Sequence, residues 1–99
     1  MTPSTRRLLV AYDIVDDLRR TKLAKVLQSY GDRIQYSVFL IDLTAAGEVR
    51  LRREVAKTID AQTDSVLFCV VGLSSGGRDP VLSFLGRRRP TPDEIEFIV

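Results

Sequence analysis

Asp13, Asp16 and Asp17 stand within five positions of one another, and Arg19, Arg20, Lys22 and Lys25 follow them. Carboxylates beside clustered cations are the parts of a phosphodiester site. Hard cations prefer oxygen ligands, a bound ion polarises a phosphoryl oxygen, and Lys and Arg hold flanking phosphates. Asp13 is the candidate for the metal-holding role because it closes the apolar run "LLVAYD", at the end of a strand, where functional side chains project. One carboxylate makes a poor metal site. Two copies of Asp13 facing each other across a symmetric dimer would make a better one. Plainer readings compete: Asp13 as a turn or cap residue, Asp16 and Asp17 as helix-start acids at the positive end of the helix dipole, and the cations as a solvated helix face.

The remaining composition narrows the chemistry. The chain has no His and a single Cys, so zinc sites of the His/Cys kind are excluded and the commonest general base is missing. Any metal would be held by carboxylates and backbone oxygens, which suits Mg²⁺ or Mn²⁺. Cys69 lies in "SVLFCVVG" and reads as a core thiol; alone it can form no intrachain disulfide. A formal charge of +2 is mild, but Arg50, Arg52 and Arg53 cluster, as do Arg87, Arg88 and Arg89, and such clusters favour a phosphate-rich partner. Tyr12 and Phe39 could stack on bases or simply pack in a core. The opening "MTPSTRR" and the short apolar run after it fit neither a secretory signal nor a membrane span, so a cytoplasmic protein with no membrane partner is expected.

These residues need elements to position them, and 99 residues allow one domain. Residues 7–14 read as a central strand and Asp16/Asp17 as the start of a helix, with Leu23, Val26, Leu27 and Tyr30 on its inner face and Gly31 as its stop. Residues 33–43, "RIQYSVFLIDL", read as one long strand with a bend or bulge near Ser37. A second helix is expected over 48–61, with Val49, Val55, Ala56 and Ile59 inward, followed by a buried strand over 65–72. "LSSGGRDP" reads as a loop, "VLSFLG" as a short strand, "RRRPTPD" as a proline-broken connector and "EIEFIV" as an edge strand. This order suggests an α+β fold, a ferredoxin-like βαββαβ sandwich with an additional C-terminal strand.

The stretch "VAYDIVDDLRRTKLAKVLQSYGDRIQYSVFLIDL" resembles the signature of the small CRISPR-associated core adaptation proteins, the second member of that protein series and a family of CRISPR-associated endoribonucleases and endonucleases. The matching pattern is Tyr12-Asp13-Ile14, then Asp16-Asp17, Arg19-Arg20 and Lys22, then Tyr30-Gly31, and then Arg33-Ile34-Gln35-Tyr36-Ser37-Val38-Phe39. The resemblance implies a ferredoxin-like homodimer acting as a metal-dependent endonuclease on RNA or DNA. It implies Asp13 as the metal ligand, one from each copy, with Tyr12, Arg20, Lys22, Arg33 and Phe39 tied to that site. Tyr12, Arg20 and Phe39 join Asp13 as catalytic candidates. Arg19, Lys22, Lys25, Arg33, Arg87 and Arg88 are the candidate nucleic-acid contacts.

It further implies a subunit that binds duplex DNA and bridges the CRISPR-associated integrase during spacer acquisition. Residues 1–86 would form the ferredoxin-like nuclease and adaptation domain, and residues 87–99 a connector and docking strand. Leu40 stands where many members of the family carry Glu, and Asp42 is the nearest substitute on the same strand face. Single-stranded RNA is a second candidate substrate. A toxin-like ribonuclease or a ferredoxin-like ligand-binding regulatory module is the alternative, and the latter would not need the basic clusters.

Overall fold

Every neighbouring strand packs outward from β1 (Arg6–Asp13), the middle strand of a five-stranded sheet. The computed structural model describes residues 4–73 and 81–87. After β1 come α1 (Asp17–Gln28), β2 (Asp32–Gln35), β3 (Val38–Leu43), α2 (Ala45–Thr58), β4 (Ser65–Leu73) and β5 (Val81–Gly86). The sheet order is β2-β3-β1-β4-β5, and every adjacent pair is antiparallel. This is the ferredoxin-like α+β arrangement expected from the sequence: two split β-α-β units, with β5 as the additional strand beside β4. The expected strand in "EIEFIV", the connector "RRRPTPD" beyond Arg87 and the loop "LSSGGRDP" beyond Leu73 lie outside the described residues.

Alternation along β1 sorts its side chains. Leu8, Val10 and Tyr12 are buried, and they share a face with Phe39 and Ile41 of β3 and Val66 and Phe68 of β4. Leu23 and Leu27 of α1 and Leu51 and Val55 of α2 complete this core, so both helices cover the same face. The opposite face carries Leu9, Ala11, Leu40, Leu67, Cys69 and Phe84, in register across four strands and only partly buried. Among the described residues, both helices lie on the first face and none covers this second one.

Four local expectations change. Residues 33–43 are not one strand: Tyr36 and Ser37 form a turn and β2 folds back on β3 as a hairpin, with a register shift between Arg33 and Gln35. Helix α2 begins at Ala45 because the Thr44 hydroxyl caps it, accepting the Gly47 N–H at 3.1 Å. Its inner face follows Glu48, Leu51 and Val55, which turns Val49 and Ala56 outward. Glu48 is buried because both Arg6 and Arg52 donate to its carboxylate, and the Arg52 guanidinium also lies 4.2 Å from the centre of the Phe68 ring. Gly31 is needed for close approach rather than for stopping α1: a Cβ there would stand 2.5 Å from the Leu40 carbonyl oxygen and from Ile41.

Candidate functional site

Asp13 is the last residue of β1, is exposed, and pairs in register with Ser65 of β4. It alternates with the buried Tyr12, so it belongs to the uncovered face of the sheet, at the end of the row Leu9–Ala11–Asp13. The chain then turns through Ile14, which is buried, into Asp16, whose carboxylate accepts the Arg19 N–H at 2.9 Å and caps α1.

A buried carboxylate anchors this turn. Asp64 is fully buried and accepts from Arg19 Nε at 2.8 Å, Arg19 Nη2 at 3.3 Å, the Asp60 N–H at 2.8 Å, the Thr63 hydroxyl at 3.2 Å and the Val15 N–H at 3.4 Å. The Arg19 guanidinium beside it, helped by the Asp60 and Val15 amides, holds the Asp64 pKa down to about 2 against the opposing effect of burial. The Asp64 carbonyl oxygen accepts the Arg87 N–H at 2.7 Å, which ties the end of β5 to the same point. Gly86 has φ of 85° there, and a Cβ on it would collide with that carbonyl.

On the other side of β1 the Tyr36–Ser37 turn lies alongside, with the Tyr12 N–H donating to the Ser37 carbonyl at 3.1 Å. Arg33 binds this turn: its Nε and Nη2 donate to the Tyr36 carbonyl at 3.0 and 2.6 Å, and Nη2 also reaches the Tyr12 hydroxyl at 3.4 Å. The Tyr12 hydroxyl donates to the same carbonyl at 3.3 Å. Phe39 lies beneath, its ring centre 6.3 Å from that of Tyr12. Tyr12, Arg33 and Phe39 therefore meet at the end of the strand that carries Asp13. Tyr12 and Phe39 are buried, so of the two readings it is core packing that their rings adopt, with no open face for a base.

The remaining cations are spread. Arg20 pairs with Asp17 at 2.7 Å on the first turn of α1. Lys22 and Lys25 are exposed on the same helix, Arg87 is exposed at the end of β5, and Arg88 lies outside the described residues. Asp42 does not stand in for the missing Glu near Asp13. It pairs in register with Arg7, at the opposite end of β1 and roughly 20 Å along the strand, and is bound by that guanidinium at 2.9 and 3.1 Å. Two residues at the site were not among the candidates, although Tyr36 stands in the matching pattern. Asp64 meets Arg19 across 45 positions of chain, and Tyr36 reads as an ordinary strand residue until the turn beside it is seen.

Among the described residues, no three His, Cys, Asp or Glu side chains converge to hold a metal ion. Asp16, Asp17 and Asp64 each accept from an arginine group close by. A carboxylate oxygen such as that of Asp13 would suit a hard cation. No helix among the described residues is long and apolar enough to cross a membrane.

The family model of CRISPR associated protein Cas2 matches residues 6–76. The chain is 47% identical over 60 residues to a CRISPR-associated endoribonuclease Cas2 of Rhodospirillum rubrum, a match covering 61% of this chain and 48% of that protein. Its fold superposes on the crystal structure of a hypothetical protein from Thermus thermophilus with a TM-score of 0.67 at 38% identity, covering 78% of this chain and 99% of that one. It superposes on Streptococcus pyogenes Cas2 with a TM-score of 0.63 at 34% identity, covering 67% of this chain and 86% of that one. The chain spans about half to two thirds of the length of three of the curated relatives it matches, with shares of 48%, 62% and 65%.

Proposed function

From a chain that belongs to the CRISPR-associated Cas2 family, we infer a protein that works on nucleic acid as a pair of copies, as a CRISPR adaptation subunit with metal-dependent endonuclease activity. One observation carries this reading: Asp13 projects from the same uncovered sheet face as Leu9, Ala11 and Leu40. A second copy laid on that face buries the apolar row and brings a second Asp13 towards the first. The endoribonuclease named in Rhodospirillum rubrum supports RNA as one substrate class.

In this reading the two Asp13 carboxylates hold Mg²⁺ or Mn²⁺. The bound ion would polarise a phosphoryl oxygen and lower the pKa of a bound water. The residues of the chain do the positioning. Asp64 fixes the backbone at Val15, just beyond Asp13, and Arg33 with Tyr12 fixes the neighbouring turn. Arg20, Lys22 and Lys25 on α1 and Arg87 at the end of β5 supply positive charge for the phosphate backbone of duplex DNA or single-stranded RNA. Arg19 serves the nucleic acid indirectly, since Asp64 takes its guanidinium. Residues 87–99 serve as the connector and strand that dock on the CRISPR-associated integrase, which the pair bridges while holding duplex DNA.

Titration with Mn²⁺, followed by loss of the free-ion spin-resonance signal, tests the shared site. One ion per two chains, lost in Asp13→Asn, is the expected result; one ion per chain, or binding unchanged in the variant, rejects it. Removing residues 94–99 should weaken capture of the integrase in a pull-down, and equal capture rejects the docking role.

A further inference from the structure

Tyr36 is 71% exposed, and among the described residues it is the one aromatic ring left open to this degree. An exposed aromatic side chain on a turn is normally loosely held. This one is fixed through its backbone: its carbonyl oxygen accepts from Arg33 Nε at 3.0 Å, Arg33 Nη2 at 2.6 Å and the Tyr12 hydroxyl at 3.3 Å. The Arg33 guanidinium also lies over the ring, 5.3 Å from its centre. The turn is joined to the last residues of β1 by the bond from the Tyr12 N–H to the Ser37 carbonyl. The result is a flat apolar ring beside a fixed positive charge, on a turn bonded to Tyr12, the residue before the exposed Asp13.

We propose that Tyr36 is a stacking platform for an unpaired nucleobase next to the phosphate that Asp13 addresses. The proposal rests on the phosphodiester reading and names a residue that selects its substrate. A base stacked on Tyr36 leaves its adjoining phosphate beside Arg33, and a platform held before binding loses little freedom when the base arrives. In a continuous duplex both base faces are already covered, so the platform favours single-stranded RNA or DNA and does not depend on base identity.

The test measures binding in EDTA, where no cleavage occurs. The full chain and its Tyr36→Ala, Tyr36→Phe and Tyr36→Trp variants are titrated with a labelled single-stranded RNA, and with the same strand made abasic at one position at a time. Tyr36→Ala should weaken binding roughly tenfold, with Phe and Trp near wild type. At one position the abasic change should cost the wild type a similar factor and cost Tyr36→Ala nothing further. The three bonds at Tyr36 use its backbone, so the alanine variant keeps them, and an unchanged thermal melt confirms it. Equal binding by Tyr36→Ala, losses that add at every position, or no binding of the single strand by wild type would each overturn the proposal. Cleavage by wild type against Asp13→Asn, with Mg²⁺, is read separately. Asp13-dependent cleavage with Tyr36-independent binding rejects the platform and keeps the phosphodiester reading; the converse rejects that reading and keeps the platform.

Discussion

Arg19 Nε stands 2.8 Å from Asp64 Oδ2, and the same buried carboxylate accepts the Val15 N–H two residues past Asp13. The pair thus links the start of α1, the turn before β4 and the backbone that follows the candidate metal ligand. Removing the carboxylate leaves a cation, two amides and a hydroxyl short of a partner. Asp64→Ala should therefore cost on the order of 3 kcal/mol, read as a lowered urea midpoint, while Arg19→Lys should cost less.

The same pair sets the response to acid. The folded-state pKa of Asp64 is about 2, below its ordinary value of 3.8, so the stabilisation it gives is complete above that ordinary value. It is lost as pH falls from about 4 through about 2. Stability measured from pH 6 to pH 2 should decline more steeply in the wild type than in Asp64→Asn. Parallel acid limbs would show that Asp64 does not carry the effect.

Arg33 holds the β2–β3 turn against β1 through bonds to the Tyr36 carbonyl and the Tyr12 hydroxyl. Arg33→Met keeps much of the side-chain stem and removes those donors. It should lower stability by about 1–2 kcal/mol and speed hydrogen exchange at the Tyr12 amide more than at the Leu8 amide. Uniform acceleration at both would indicate only a general loss of stability.

The uncovered face gives a direct expectation about assembly. Leu9 pairs with Leu40 on one side and Cys69 on the other, in the middle of that face. Burial raises the Cys69 thiol above its usual pKa, in keeping with a packing role rather than a reactive one. Leu9→Glu should convert a species of two chains into one of a single chain, read by sedimentation, with its circular dichroism intact. A single-chain mass for the wild type would remove the case for a shared Asp13 site.

Lys22 and Lys25 are exposed on α1, and under the proposed function they would meet a phosphate backbone as point charges. Changing either to Ala should weaken duplex DNA binding about equally for unrelated sequences and reduce the salt slope by about 1. A loss confined to one sequence would contradict a backbone contact.

The elements were legible where burial is one-sided or continuous. "LLVAYD" and "SVLFCV" are short apolar runs rich in β-formers that read as central strands, and Asp16 announces α1 because the helix needs an acceptor for its first N–H groups. A break near Ser37 was legible from the length of 33–43, but not that it is a full turn, because Tyr36 and Ser37 carry no Gly, Pro or Asn to mark one; three donors on the Tyr36 carbonyl hold it instead. The inner face of α2 was misread because Glu48 looks like a solvent residue, and only the arginines that meet it let it be buried. At the site, Asp13 and its neighbours Tyr12, Arg33 and Phe39 were visible as a pattern of residue types. The Asp64–Arg19 bond was not, because no local spacing encodes a contact between α1 and the turn before β4.

Cleavage by the wild type and Asp13→Asn, each with labelled single-stranded RNA and duplex DNA in Mg²⁺ or EDTA, tests the central claim most directly. The expected result is cleavage by the wild type in Mg²⁺ that chelation abolishes and Asp13→Asn lowers at least a hundredfold, roughly 2.7 kcal/mol in the barrier. Cleavage that survives in Asp13→Asn, or that persists in EDTA, would contradict it.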